Sequence, residues 1–253
     1  MPVLRSLLTA FSTYSRIPVP RTEWNEENRR LSLCFFPLVG LVIGLLLWGW
    51  LALCSGLEIG SFLRGAVSAM IPLLVTGGIH MDGYMDTTDA LASWQPKERR
   101  LEILKDSHVG AFAVMACAGY LLLSAALFAE AGPGAGIRLA GVFVLSRALS
   151  AFALLRMKNA RQQGMADETA RAAGRRPVML CCAVYSGLCL LLWLVTGGWT
   201  AALCAPAAAL CYFYYRHMAY KQFGGVTGDL AGWFLQVTEL VLTAVIVIGG
   251  KLL

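Results

Sequence analysis

The stretch GGIHMDGYMDTTDAL, residues 77–91, sets three aspartates and a histidine directly after a greasy run, LRGAVSAMIPLLVT. Asp82, Asp86 and Asp89 are spaced i, i+4, i+7. At about 100° per residue, that spacing brings the three carboxylates onto one stripe of an α-helix. Like charges so arranged repel one another unless something positive sits among them. A helix end that merely meets water would intersperse Lys or Glu, yet His80 is the only basic side chain between 77 and 91. Divalent cation binding is the better account, and carboxylate-only chemistry favours Mg²⁺ or Mn²⁺ over zinc.

Two further stretches carry acid groups. In KDSHVGAF, Lys105, Asp106 and Ser107 precede Gly110 where a loop turns into the next apolar helix. A helix N-terminus offers free N–H groups and partial positive charge to a phosphate; a plain N-cap by Asp106 or Ser107 is the simpler alternative. In KQFGGVTGDLAGWFLQVTEL, residues 221–240, Gly224, Gly225 and Gly228 form a backbone-rich turn, Thr227 adds a hydroxyl, and Asp229 opens the last apolar run. Glu239 follows ten residues deeper, where a carboxylate costs several kcal/mol unless paired or in a polar cavity. Arg147 of VLSRALS is its expected partner. Such a pair either locks two helices or brings Glu239 into the chemistry, and the sequence leaves both open.

Several carboxylates, a glycine-rich turn and helix N-termini fit a metal-dependent transfer of a phosphoryl-linked group. A cation would neutralise a pyrophosphate while an alcohol attacks in line. No Ser-His-Asp set, Walker A loop or G-x-G-x-x-G string competes.

The elements that must position these groups are membrane helices. Of the 253 residues, 58% are hydrophobic and 14% charged, and the mean hydropathy is +0.64. A soluble domain is nearer 45–50% apolar and about 25% charged. The apolar residues fall in runs of roughly 20, the length that crosses a hydrocarbon core as a helix. The pattern predicts an all-α, polytopic transmembrane bundle forming one domain over 1–253. Seven spans are expected, at 31–54, 62–81, 109–130, 136–156, 178–196, 199–217 and 229–249. Only TGGWT separates the fifth from the sixth, so they form a tight hairpin or one is re-entrant.

Seventeen of the 21 Lys and Arg residues fall in the N-terminal segment and in the loops after the second, fourth and sixth spans. By the positive-inside rule those segments are cytoplasmic. The expected location is therefore the cytoplasmic (inner) membrane, multi-pass, with the acidic site facing the cytoplasm. The same bias accounts for most of the +6 net charge, so no nucleic-acid partner is implied; the partners are the bilayer and small molecules, with a homo-oligomer left open. Residues 1–30 read as an interfacial segment, an amphipathic helix ending at the Pro18/Pro20 turn rather than a cleavable signal. Residues 157–177 read as the one long hydrophilic loop. The eight cysteines all fall in predicted spans without a C-x-x-C pair, which points to packing rather than to disulfides or zinc.

RIPVP, FPLVG, TGGIHMDGYMDTTDAL, KDSHVGAF and GGVTGDLAGWFLQVTEL occur in this order between about residues 14 and 240. Together they closely resemble the cobalamin synthase family, the adenosylcobinamide-GDP ribazoletransferases. The resemblance implies an integral membrane, Mg²⁺-dependent enzyme that joins adenosylcobinamide-GDP to α-ribazole or its phosphate, releasing GMP. It also implies metal ligation by Asp82, Asp86, Asp89, Asp106 and Asp229, and catalytic roles for Asp82, Asp86, Glu239 and His80. Substrate contacts would come from Lys105, Ser107, Gly224, Gly225, Thr227, Arg16 and Arg147. The chain departs from the family pattern at Tyr84-Met85, Ala90 and His108, none of them acidic; position 108 is where Arg is common, which removes any phosphate contact expected there. CDP-alcohol phosphotransferases share Asp-Gly at 82–83 but not the Ala-Arg or the second aspartate pair. A cation-coupled transporter is the non-enzyme alternative; it fits poorly with carboxylates gathered at one surface and no inverted repeat.

Overall fold

The computed structural model describes residues 2–132, 134–161 and 163–252. Seven helices correspond to the expected spans: α3 (Ser32–Gly56), α4 (Ser61–Thr76), α7 (Ala111–Ala129), α8 (Ala135–Arg156), α10 (Arg175–Thr196), α11 (Gly198–Phe223) and α12 (Gly228–Leu252). Five shorter ones surround them: α1 (Pro2–Tyr14), α2 (Glu26–Arg29), α5 (Ile79–Ala92), α6 (Lys97–Ile103) and α9 (Met165–Ala172). The β pairing among the described residues is a single isolated bridge, Asn159 with Val226. The chain is a multi-pass helical membrane protein.

The count of spans differs from expectation. Among the described residues five helices, α3, α7, α8, α10 and α12, combine the length and hydropathy of a membrane span, and the bent pair α4–α5 makes a sixth. The expected second span stops at Thr76 because Gly77 (φ 66°) and Gly78 (φ 83°) adopt left-handed backbone. There the chain turns by 97° into α5, so the aspartates ride on a separate helix. α11 is 26 residues long, but Pro206 and a run of tyrosines dilute its hydropathy. It joins α10 through Gly197 and packs against it.

α8 runs through the middle. Its apolar stretch is 78% buried inside the protein, against 17% for α7 and 22% for α10. Small residues make this possible: a Cβ on Gly44 of α3 would lie 2.7 Å from the Cα of Ala140, so the two backbones pack closely without lipid between them. The outer helices show Leu45, Leu46, Leu122, Leu123, Leu191 and Val195. On a soluble monomer that apolar area would be anomalous, and on a membrane bundle it is the lipid face. α1 is amphipathic as expected, seating Ser6, Thr9 and Ala10 inward while Val3 and Leu4 are exposed.

The stretch expected as a hydrophilic loop, 157–177, contains α9. Asp167 and Glu168 in its first turn suit the positive helix end, and Asp167 pairs with Arg171 one turn on at 2.8 Å. Glu168 accepts from Arg29 at 2.5 Å and from the Trp24 indole at 3.0 Å, which ties α9 to α2. Arg161 donates to the Leu101 carbonyl and Arg100 to Gln222. The four basic segments therefore meet at one end of the bundle. Arg64 with the Ala129 carbonyl, and Lys251 with Glu130, mark the other.

Candidate active site

α5 lies across the start of α12 because both helices carry glycine where they cross. A Cβ on Gly83 would sit 2.7 Å from the Asp229 carbonyl oxygen and 2.9 Å from its Cα. A Cβ on Gly232 would sit 3.0 Å from the His80 carbonyl oxygen. The contact brings Asp82 and Asp86 to Asp229. The carboxylates of Asp82, Asp229 and Asp89 all act on Asp86, and Arg161 is the cation opposing them. Arg161 stands 3.5 Å from Asp229.

Arg161 owes its place to the isolated bridge. Val226 donates to the Lys158 carbonyl and the Ala160 N–H to the Val226 carbonyl, each at 2.8 Å. Gly225 packs flat on that segment, where any Cβ would run into the Lys158 carbonyl. Gly224 (φ 77°) caps α11. Thr227 caps α12: its hydroxyl accepts the Leu230 N–H at 3.2 Å and lies 3.4 Å from Asp229 Oδ2. The glycine-rich turn expected to hold substrate thus also holds Arg161 and Asp229 in register.

Asp82, Asp229, Arg161 and Thr227 line a cavity of about 340 Å³ roofed by α9 and the segment before it. Tyr14 of α1, Phe36 of α3 and His80 of α5 line the same cavity. His80 is 7% exposed, and among the described residues its Nε2 has no hydrogen-bond partner.

Other expected site residues lie elsewhere. Both carboxylate oxygens of Asp89 bind backbone amides of α7, from Gly110 at 2.6 Å and Ala113 at 2.8 Å. The helix N-terminus expected to offer its N–H groups to a phosphate is thereby taken up by Asp89, and neither Asp106 nor Ser107 caps it. Lys105, Asp106 and Ser107 are exposed in the α6–α7 connection. Asp106 accepts the His108 N–H at 3.0 Å and the His108 Nδ1 contact is 2.6 Å. The backbone N–H first, and then the imidazole, hold the Asp106 carboxyl below its ordinary range. Arg16 lies over the α4–α5 elbow, its side chain against Gly77 and its N–H on the Val75 carbonyl at 2.7 Å.

Glu239 and Arg147 pair with each other. Glu239 Oε1 accepts from Arg147 Nη1 at 2.6 Å and from the Ser146 hydroxyl at 2.9 Å, and the two charged side chains are 1% and 3% exposed. Ten residues at 1.5 Å rise put Glu239 about 15 Å along α12 from Asp229, and neither member of the pair lines the cavity that Asp82 and Asp229 share. The structure does not bring Glu239 to the aspartates. Sequence reasoning passed over Arg161, Gly83 and Gly232. One signal was available: Gly228 and Gly232 repeat the small-x-x-x-small spacing of close helix pairs.

Asp82, Asp86, Asp89 and Asp229, with Arg161 opposing them, are the groups a divalent cation would meet. The donor set is all oxygen, with negative charge in excess. Among the described residues no three His, Cys, Asp or Glu side chains converge closely enough to cage an ion. Mg²⁺ does not need such a cage, since it takes one or two carboxylates and completes its shell with phosphate oxygens and water. One or two carboxylates from among Asp82, Asp86 and Asp229 would meet that partial requirement.

The family model for cobalamin-5-phosphate synthase matches residues 6–247. The adenosylcobinamide-GDP ribazoletransferase of Lachnoclostridium phytofermentans is 42% identical over 248 residues, covering 98% of this chain and 95% of the relative. Proteins of the same name from Geobacillus thermodenitrificans and Desulfitobacterium hafniense are 36% and 34% identical, covering 94% and 95% of each chain respectively. No solved structure matches. With the acidic motif, the glycine turn and the whole length matched, the chain belongs to the cobalamin-5-phosphate synthase family.

Proposed function

We propose that the protein joins adenosylcobinamide-GDP to α-ribazole or its phosphate, releasing GMP, at the cytoplasmic face of the inner membrane. The observation that carries this reading is the glycine-lined crossing of α5 and α12, which sets Asp82 and Asp229 on the cavity lining with Asp86 close by. The names of the relatives supply the substrates, and the gathering of 17 basic residues at that end of the bundle supports the sidedness.

In the transfer, a ribazole hydroxyl oxygen bonds to the phosphorus attached to cobinamide. The bond from that phosphorus to the pyrophosphate bridging oxygen breaks, and GMP departs with the bridging oxygen. Carboxylates among Asp82, Asp86 and Asp229 would hold the Mg²⁺ that the reading requires, which would supply charge neutralisation for the pyrophosphate and the leaving phosphate. The hydroxyl proton goes to a carboxylate of the cluster, for which Asp82, exposed at the cavity mouth, is best placed. Arg161 keeps Asp229 oriented.

The test is GMP release by purified protein from adenosylcobinamide-GDP and α-ribazole, with Mg²⁺ and with a chelator. Release only with both substrates and metal is expected. Turnover of CDP-alcohol substrates in its place, or metal-independent release, would overturn the reading.

A further inference from the structure

We infer that the cavity beneath α9 is the acceptor subsite, where Tyr14, Phe36 and His80 hold the flat heteroaromatic base of the ribazole and direct its hydroxyl to Asp82. This rests on the ribazoletransferase reading and adds to it which substrate enters the cavity, and by which end.

The three rings come from three different helices and form one cluster. Tyr14 and Phe36 have centroids 4.3 Å apart, Phe36 and His80 5.6 Å, and Tyr14 and His80 6.5 Å with nearly parallel planes. At these separations the three rings pack on one another and brace a common aromatic surface. All three line the cavity that also opens onto Asp82 and Asp229. One chamber therefore offers an aromatic wall and an acidic, oxygen-rich wall, as a base joined to a sugar bearing hydroxyls requires. Phe36 is backed by Arg147, whose guanidinium carbon is 5.8 Å from the ring centroid. The buried Arg147–Glu239 pair thus fixes that wall from behind.

Size and charge decide between the two substrates. At about 340 Å³ the cavity is at the small end of ligand pockets, which run to about 1,000 Å³. A nucleoside fits such a space, and a corrinoid with its nucleotide tail does not. A guanosine diphosphate brings negative charge and needs cations about it. The lining cation here, Arg161, is already paired with Asp229, and Asp167 on the same lining is bound by Asn159 and Arg171 at 2.8 Å each. A neutral base suits this lining better. The cobinamide-GDP is left to approach from outside, its pyrophosphate meeting the carboxylates at the cavity mouth.

The experiment is Phe36→Leu in full-length protein purified in detergent, with KM measured separately for each substrate and α-ribazole binding followed by calorimetry without Mg²⁺. Losing a stacked ring is expected to raise KM for α-ribazole about tenfold, to weaken its binding in parallel, and to leave KM for adenosylcobinamide-GDP within about twofold. If Phe36→Leu does not accumulate, Tyr14→Leu on the peripheral α1 carries the same readout. A rise confined to adenosylcobinamide-GDP, or no change in either KM, overturns the subsite while the reaction stands. Absence of GMP release by the wild-type protein overturns the reaction itself, and the subsite with it.

Discussion

Asp89 accepts the Gly110 N–H at 2.6 Å, so a residue of the acidic stripe caps a helix that begins 22 positions later. The opposite carboxylate oxygen takes the Ala113 N–H at 2.8 Å. The first amides of a helix lack intrahelical partners, and a negative charge there is favoured by the helix dipole. Gly110 is required for the approach: a Cβ would lie 2.6 Å from Asp89 Oδ2. Asp89 therefore fastens α5 to α7 in addition to any contact its remaining lone pairs make with a cation.

Removing that cap is expected to act first on stability. Asp89→Ala should cost about 1–2 kcal/mol, the range for losing an N-cap, seen as a lower melting temperature in detergent. Asp89→Asn keeps one acceptor and should recover part of the loss. A melting temperature unchanged in Asp89→Ala would show that the cap contributes nothing.

Asp82 and Asp86 are expected to behave differently. Asp82→Ala and Asp86→Ala should each lower turnover at least about 100-fold, which is about 2.7 kcal/mol in the barrier, with folding unaffected. Mg²⁺ should raise the wild-type melting temperature through binding to the native state, and Asp82→Ala should abolish that rise. Near-normal turnover in both variants would reduce the stripe to a solvated helix face.

Gly83 and Gly232 are expected to tolerate no side chain. In Gly83→Val the added carbons meet the backbone of Asp229, which cannot swing aside as a flexible side chain would. The helices must part, and the carboxylates with them. GMP release should fall by at least tenfold in protein that still inserts in membranes, and Gly78→Ala, which has open space but positive φ, serves to compare strain without a clash. Full activity in Gly83→Val would mean the crossing is not needed.

The Arg147–Glu239 pair should show the asymmetry of buried charges. Removing one partner leaves the other unpaired at a cost of about 3–5 kcal/mol. Glu239→Gln and Arg147→Gln should each lower folded yield, and the double variant should restore much of it. Normal yield with poor turnover in Glu239→Gln alone would instead return Glu239 to the chemistry.

Sidedness has its own check. Reporter fusions at residues 100 and 165 should both read as cytoplasmic, since the α6 and α9 segments meet at the end that holds the aspartates. An outside signal at either would separate the site from its nucleotide substrate.

What the sequence determined by itself is local. Run length sets which segments can cross a hydrocarbon core, and the i, i+4, i+7 spacing puts Asp82, Asp86 and Asp89 on one helix face whatever surrounds it. A buried partner for Glu239 was legible too, because an ionised side chain at that depth must have one and Arg147 was the available cation. Tertiary structure decided what each face meets. Gly77 and Gly78 were visible as glycines, but only packing shows that they turn the chain by 97° and lay α5 across α12. Periodicity leaves open the neighbour across the interface, so it could not tell that Asp82 and Asp86 would face Asp229 while Asp89 faced the amides of α7. Arg161 reaches the site through a two-residue bridge to Val226, a contact between segments more than sixty positions apart. Local propensity carries no trace of such a pairing, because its free energy exists only once both segments are already held in place.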